Sequence, residues 1–184
     1  MIAPAAAPIL SLRPRIGHEE AVRRLRAGLI PRLVGARALR SVGQVFVPFY
    51  LYRVEVTDRG RRWGSYLAVD AVSGTLDPYE FDGPPAGDEL SRVETRNRPL
   101  PTLAHQAAEH ALRDKLRRLR YQAGFFRVRE PRFAFERVPL DLHVPYWLGF
   151  YGAGEAATLR VLDAVRRRFE GARARALFED WLAA

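Results

Sequence analysis

Apolar and polar positions alternate most clearly over Val42–Val56, where Val54 and Val56 are interleaved with Arg53, Glu55 and Thr57 in a stretch rich in Val, Phe and Tyr. A period of two in such residues predicts a strand. Asp58-Arg59-Gly60 predicts a turn, Trp63–Asp70 the returning strand, and Ser73-Gly74 a second tight turn into a strand at Thr75–Phe81. A period near 3.6 marks the helices. One runs from His18 to about Gly28, with Ala21, Val22 and Leu25 on one side and Pro31 beyond its end. The clearest follows Thr102, a candidate cap, and carries the stripe Ala104, Ala108, Leu112, Leu116 and Leu119 up to Gly124. Strands are then expected at Phe125–Val138 (bent at Pro131), Leu140–Tyr151 and Ala157–Val165, with a Gly-rich turn at Gly152–Gly154. A last helix, Gly171–Leu182, places Leu177, Phe178, Trp181 and Leu182 to pack inward.

The two halves echo each other. Val47-Pro48-Phe49-Tyr50-Leu51 returns 97 positions later as Val144-Pro145-Tyr146-Trp147-Leu148, and Val69-Asp70-Ala71-Val72 returns 93 positions later as Leu162-Asp163-Ala164-Val165. Such matches are what an internal duplication leaves behind. The expected fold is α+β: two tandem repeats, each a helix plus antiparallel sheet, related by a pseudo-twofold and closed by a C-terminal helix. Residues 1–16, with several prolines, read as an extended arm, 17–82 as the first repeat, 83–101 as a linker whose middle (Asp88–Glu94) suits a helical turn or two, and 102–184 as the second repeat. Pro48 and Pro145 are expected at a sheet edge or bulge, because proline cannot donate to a ladder. Aromatics on both faces of Val47–Tyr52 suggest that the halves pack through their strand faces.

Composition narrows the chemistry. With 184 residues, 48% of them hydrophobic, the chain can bury a proper core. It has no cysteine, which excludes disulfides, thiolate metal sites and thiol nucleophiles. The N-terminus lacks a basic n-region, no run is long enough to span a bilayer, and a cytoplasmic location with no membrane partner is expected. Lys115 is the single lysine among 30 basic residues, and the net charge of +9 is shared by the two halves. Arginine suits phosphate, which raises a nucleic-acid partner; a GC-rich genome accounts for the same bias without any partner.

The stretch Val69-Asp70-Ala71, Ser73-Gly74, Leu76 resembles the strand–turn–strand signature of PepSY-type domains, small α+β modules similar in layout to cystatins. In the second half Arg166-Arg167 replace Ser73-Gly74 at this turn. The C-terminal block from Val144 to Leu182 also resembles a group of bacterial cytosolic proteins; that resemblance implies no particular activity.

Asp70 and Asp163 stand at equivalent turn positions and are read either as paired carboxylates for acid–base work or as turn residues that accept their own backbone N–H groups. With Tyr50 and Trp147 from the repeated aromatic segment they make the candidate ligand-binding set. Arg166, Arg167, Arg168, Arg173 and Arg175 form the densest basic cluster and the candidate nucleic-acid contact. His105 and His110 are five apart on one helix and do not converge on a metal as an i, i+4 pair would; no metal or cofactor is expected. No G-x-S-x-G or P-loop occurs. The first expectation is therefore a non-enzymatic binding module for a protein partner, another copy of itself or a small ligand held between the repeats. The alternative is a nucleic-acid-associated protein, and the third an enzyme using Asp70 or Asp163.

Overall fold

In the computed structural model, residues 6–27, 38–58, 60–122, 132–152 and 157–184 are described. They form an α+β fold around one mixed sheet. Strands β1 (Ala7–Leu12), β2 (Leu39–Asp58), β3 (Arg61–Asp70), β4 (Tyr79–Phe81), β5 (Leu90–Thr95), β6 (Arg132–Tyr151), β7 (Thr158–Asp163) and β8 (Arg168–Phe169) join helices α1 (His18–Ala27), α2 (His105–Gln122) and α3 (Ala172–Ala183). The sheet path runs β4-β3-β2-β6-β1-β5, with β7 and β8 continuing from β6.

The centre of the sheet is the antiparallel pair of the two longest strands, β2 and β6, in which Val47 faces Val144. The halves therefore meet edge to edge through backbone hydrogen bonds, not face to face as the aromatic pattern suggested. Both strand faces are apolar for another reason: helices cover both. Val45, Val47, Phe49 and Leu51 lie with Leu142, Val144, Tyr146 and Leu148 in the core under Ala174, Leu177 and Phe178 of α3. On the opposite face, Ala21 and Leu25 of α1 pack on Trp147, Tyr151 and Leu162, while Ala108 and Leu112 of α2 pack on Tyr52, Val54 and Val69. Each of these helices thus lies on the hairpin of the other half. Leu182 does not pack inward; it is half exposed near the end of α3.

Pro48 and Pro145 sit in the central pair, not at an edge. In an antiparallel strand the N–H and C=O of one residue point the same way. The Pro48 carbonyl accepts Ala71 N–H (2.8 Å) and the Pro145 carbonyl accepts Ala164 N–H (3.1 Å), so both ring nitrogens point away from the β2–β6 ladder. The central ladder therefore requires no donor from either proline.

Several segments differ from the sequence reading. The N-terminal arm is β1, paired antiparallel with β5 and, at Leu10 and Ser11, parallel with β6. The middle of the expected linker is a single 3-10 turn, Gly87–Glu89, running into β5. The strand expected from Thr75 begins only at Tyr79, because residues 72–76 wrap the Asp70 carboxylate. The two strands expected on either side of Pro139 are one strand, β6. Its pairing passes from Tyr50–Asp141 to Leu51–Val138, so Pro139 and Leu140 form a bulge. Thr102 does not cap α2; its hydroxyl donates to Val72 O (2.9 Å). Pro31, Gly124, Phe125, Pro131 and Gly154 lie outside the described residues, as do the side chains from Leu119 to the end of α2.

Candidate functional sites

Asp70 and Asp163 end β3 and β7 and are both fully buried. Asp70 Oδ1 accepts the N–H groups of Val72 (3.2 Å), Ser73 (2.6 Å) and Gly74 (2.9 Å), and Oδ2 accepts that of Leu76 (2.8 Å). Asp163 Oδ1 accepts Val165 and Arg166 N–H, both at 2.8 Å, and Oδ2 accepts a short hydrogen bond from Tyr79 Oη. The chemistry is that of an Asx turn carried into the core: a carboxylate collects donors that the strand end leaves without ladder partners. Arg167 takes φ 61°, beside φ 68° at the corresponding Gly74, so the turn geometry persists where arginines replace Ser-Gly.

The second turn is also tied to the first half. Arg166 lies over the Tyr79 ring (3.8 Å) and donates to Asp77 O (3.2 Å) and to Pro78 O. Burial, reinforced by Tyr146 and Asp163, pushes the Tyr79 phenol far up, so Tyr79 is a fixed donor to Asp163. Lys115 of α2 donates to Leu76 O, and burial lowers its pKa against the opposing charges of Asp70 and Asp77.

The candidate ligand set is not brought together. Asp70 pairs with Phe49 and Asp163 with Tyr146, on the α3 face. Tyr50 and Trp147 lie on the α1/α2 face, each under a helix start. There the two halves match again. Tyr50 Oη donates to Leu103 O (3.1 Å) and its ring contacts His105 (4.2 Å); Trp147 Nε1 donates to Ile16 O (3.0 Å) and its ring contacts His18 (5.5 Å). Ile16, His18, Ala21 and Leu25 correspond, 87 positions on, to Leu103, His105, Ala108 and Leu112. Sequence reasoning missed this block; the shared spacing of His, Ala and Leu was the available signal. Arg137 adds a cation over Tyr50 (5.5 Å).

The basic cluster is largely committed to neighbours. Arg168 bonds Asp77 (2.7 Å) and Glu170 (3.2 Å), Arg167 reaches Glu20 (3.4 Å), and Arg175 lies 3.7 Å from Glu179. Arg173 is exposed on the first turn of α3. Between β7, β8 and α3 lies a depression of about 220 Å³ lined by Leu159, Val161, Phe169, Glu170 and Arg175, and burial raises the Glu170 pKa despite Arg168.

A second basic region was not singled out from sequence. At the three-stranded end, register places Arg62, Thr57 and Arg132 side by side across β3, β2 and β6, with Arg61 next to them. These arginines are exposed, and Trp63, next in sequence and 42% exposed, lies in the row Trp63–Val56–Phe133 on the opposite, α2-covered face. Among the described residues no group of three His, Cys, Asp or Glu side chains is placed to hold a metal, and no helix is long and apolar enough to cross a membrane.

Comparison with known proteins adds no relative: no family model, curated protein or solved structure matches the chain.

Proposed function

We propose that this chain is a non-enzymatic binding module that engages an acidic protein surface through its three-stranded end. The observation that carries the reading is an exposed strand end that presents Arg62 and Arg132 on one face and Arg61 and Trp63 on the other. Trp and Arg are enriched among the few residues that dominate protein interface energies, and an arginine row favours a partner of opposite charge. Behind the Arg62 and Arg132 row, on the face that also carries Trp63, α2 packs on Val54, Val56, Phe133 and Phe135, a backing that would keep this end rigid. We further read the two halves as copies of one PepSY-like unit related by a pseudo-twofold near Val47 and Val144, and the chain as cytoplasmic. The matched carbonyl bonds of Pro48 and Pro145 and the matched seats of His18 and His105 support the duplication.

The net charge of +9 favours one second reading, a nucleic-acid partner on the same surface. Affinity capture with the wild-type chain, Trp63→Ala and Arg62→Glu/Arg132→Glu, each with and without nuclease, separates the two. A nuclease-resistant protein retained by wild type and lost by both variants supports the proposal. Retention that vanishes with nuclease transfers the surface to nucleic acid. Partners held equally by wild type and variants overturn the assignment of this end.

A further inference from the structure

Two buried side-chain polar atoms lack a hydrogen-bond partner among the described residues: Ser91 Oγ and Arg98 Nε. Both are tied to His143, Ser91 through the strand register and Arg98 through the charge it exerts on that ring. Ser91 faces Ser11 across the β5–β1 pair, and Ser11 faces His143 across the β1–β6 pair. Residues directly opposite each other point to the same side of a sheet, so the three make a polar row about 10 Å wide. Ser11 and His143 are buried and their polar atoms find main-chain partners, Leu12 O at 2.9 Å and Leu10 O at 3.3 Å. The segment carrying Arg98 docks on the neighbouring strand β2: Asn97 O accepts Phe46 N–H (2.9 Å), two residues before Pro48, which pairs with His143. The Arg98 charge acts on His143, where it adds to burial in lowering the imidazole pKa against Asp141.

A buried donor without an acceptor is costly, and native structures resolve such groups with a water, an ion or a ligand. Here the unmet groups are a guanidinium N–H and a hydroxyl. Among the described residues no carboxylate pairs with that guanidinium. One chemistry answers all of this: several acceptor oxygens carrying negative charge. We propose that the seam between β5, β1 and β6 binds a small oxyanion, a phosphate or carboxylate group, with Arg98 supplying the charge and Ser91 a hydroxyl donor. The site is separate from the three-stranded end and stands or falls without it.

The test is thermal unfolding of the full chain in sodium phosphate and in sodium acetate against sodium chloride at matched ionic strength, for wild type, Ser91→Ala and Arg98→Gln. A saturable rise in Tm on the order of 5 °C is expected for wild type well above Kd. Phosphate alone, acetate alone or both giving the rise identifies a tetrahedral site, a planar one or one that takes either. The rise should disappear in Arg98→Gln and shrink in Ser91→Ala. Ser91→Ala removes an unpartnered hydroxyl and should keep the ligand-free midpoint, so it decides the matter even if Arg98→Gln does not fold. In parallel, the His143 ring resonances should move on titration with the effective anion. No anion-specific rise, a rise undiminished in Ser91→Ala, or a rise that leaves His143 unmoved overturns the proposal.

Discussion

The Asp70 turn and the Asp163 turn do the same work with different residues. Both close off a strand, both bury a carboxylate, and both place their fifth residue in the left-handed region, glycine in one and arginine in the other. The difference teaches which part of the turn is essential. A carboxylate that gathers main-chain donors fixes the path; the residue at positive φ only modulates its cost, about 1–2 kcal/mol for a side chain with a Cβ. The two turns are also sealed differently. The first is held by Ser73 and by the docking of Thr102 and Leu103 N–H on Ala71 O. The second is closed from the first half, by Tyr79 on Asp163 and Arg166 on Tyr79.

The sharpest way to break the equivalence is to remove each carboxylate. Asp70→Ala would strand the N–H groups of Val72, Ser73, Gly74 and Leu76. Asp163→Ala would strand those of Val165 and Arg166 and the Tyr79 hydroxyl. At the low end of about 1–3 kcal/mol for each donor left buried and unmet, Asp163→Ala should lose at least about 3 kcal/mol and Asp70→Ala at least about 4 kcal/mol. Urea unfolding gives the values. A loss under about 1 kcal/mol at either site would mean that water replaces the carboxylate there, and the shared role would fail.

The fifth position should respond with opposite signs. In Gly74→Ala the new Cβ meets Leu103 Cδ2 at 3.1 Å and Ala111 Cβ at 3.2 Å while φ stays at +68°, so a loss of about 1–3 kcal/mol is expected. Arg167→Gly relieves the same backbone conformation and gives up only an exposed pair with Glu20, worth under about 1 kcal/mol. Its unfolding midpoint should hold or rise, by at most about 1 kcal/mol in stability. A clear destabilisation would show that Arg167 is held for its contacts and not merely tolerated.

Much of this comparison is legible in the residues alone. The matched Val-Pro and Asp-Ala segments, the strand at β3 and the apolar stripes of α1 and α2 all arise from local residue chemistry. The hidden part depends on tertiary placement. Nothing in the Ala21 and Leu25 spacing says that α1 lies on the other half's hairpin. The strands β1 and β5 hold Pro8, Arg92 and Glu94 and are strands because each supplies the other's ladder. The roles of Arg166 and Arg168 depend on Asp77 and Tyr79, some 90 residues earlier. Trp63 read as one more strand aromatic, because exposure is not encoded in period-two alternation.

The smallest effect concerns the one buried histidine, which sits where the halves differ most at their centre. The 97-residue offset sets Phe46 in the first half against His143 in the second, and both are buried. Burial lowers the His143 pKa below its ordinary 6.5, with Arg98 adding to the effect and main-chain contacts to Leu10 and Asp141 opposing it. A depressed folded-state pKa means the unfolded chain takes up the proton first. The stabilising contribution is therefore whole above about pH 6.5 and is lost as pH falls from there through the folded value. Glu170 runs the other way: its raised pKa favours the folded state at low pH, and that contribution disappears as pH rises through the folded value. The raw pH profile mixes the two, but the difference between wild type and His143→Gln isolates the histidine. Urea unfolding at about pH 7.5 and about pH 5.5 should show wild type losing more stability than His143→Gln on acidification, by about 1 kcal/mol. Equal losses would mean that His143 titrates alike folded and unfolded, and the centre of the sheet would then be as indifferent to pH on its histidine side as on its phenylalanine side.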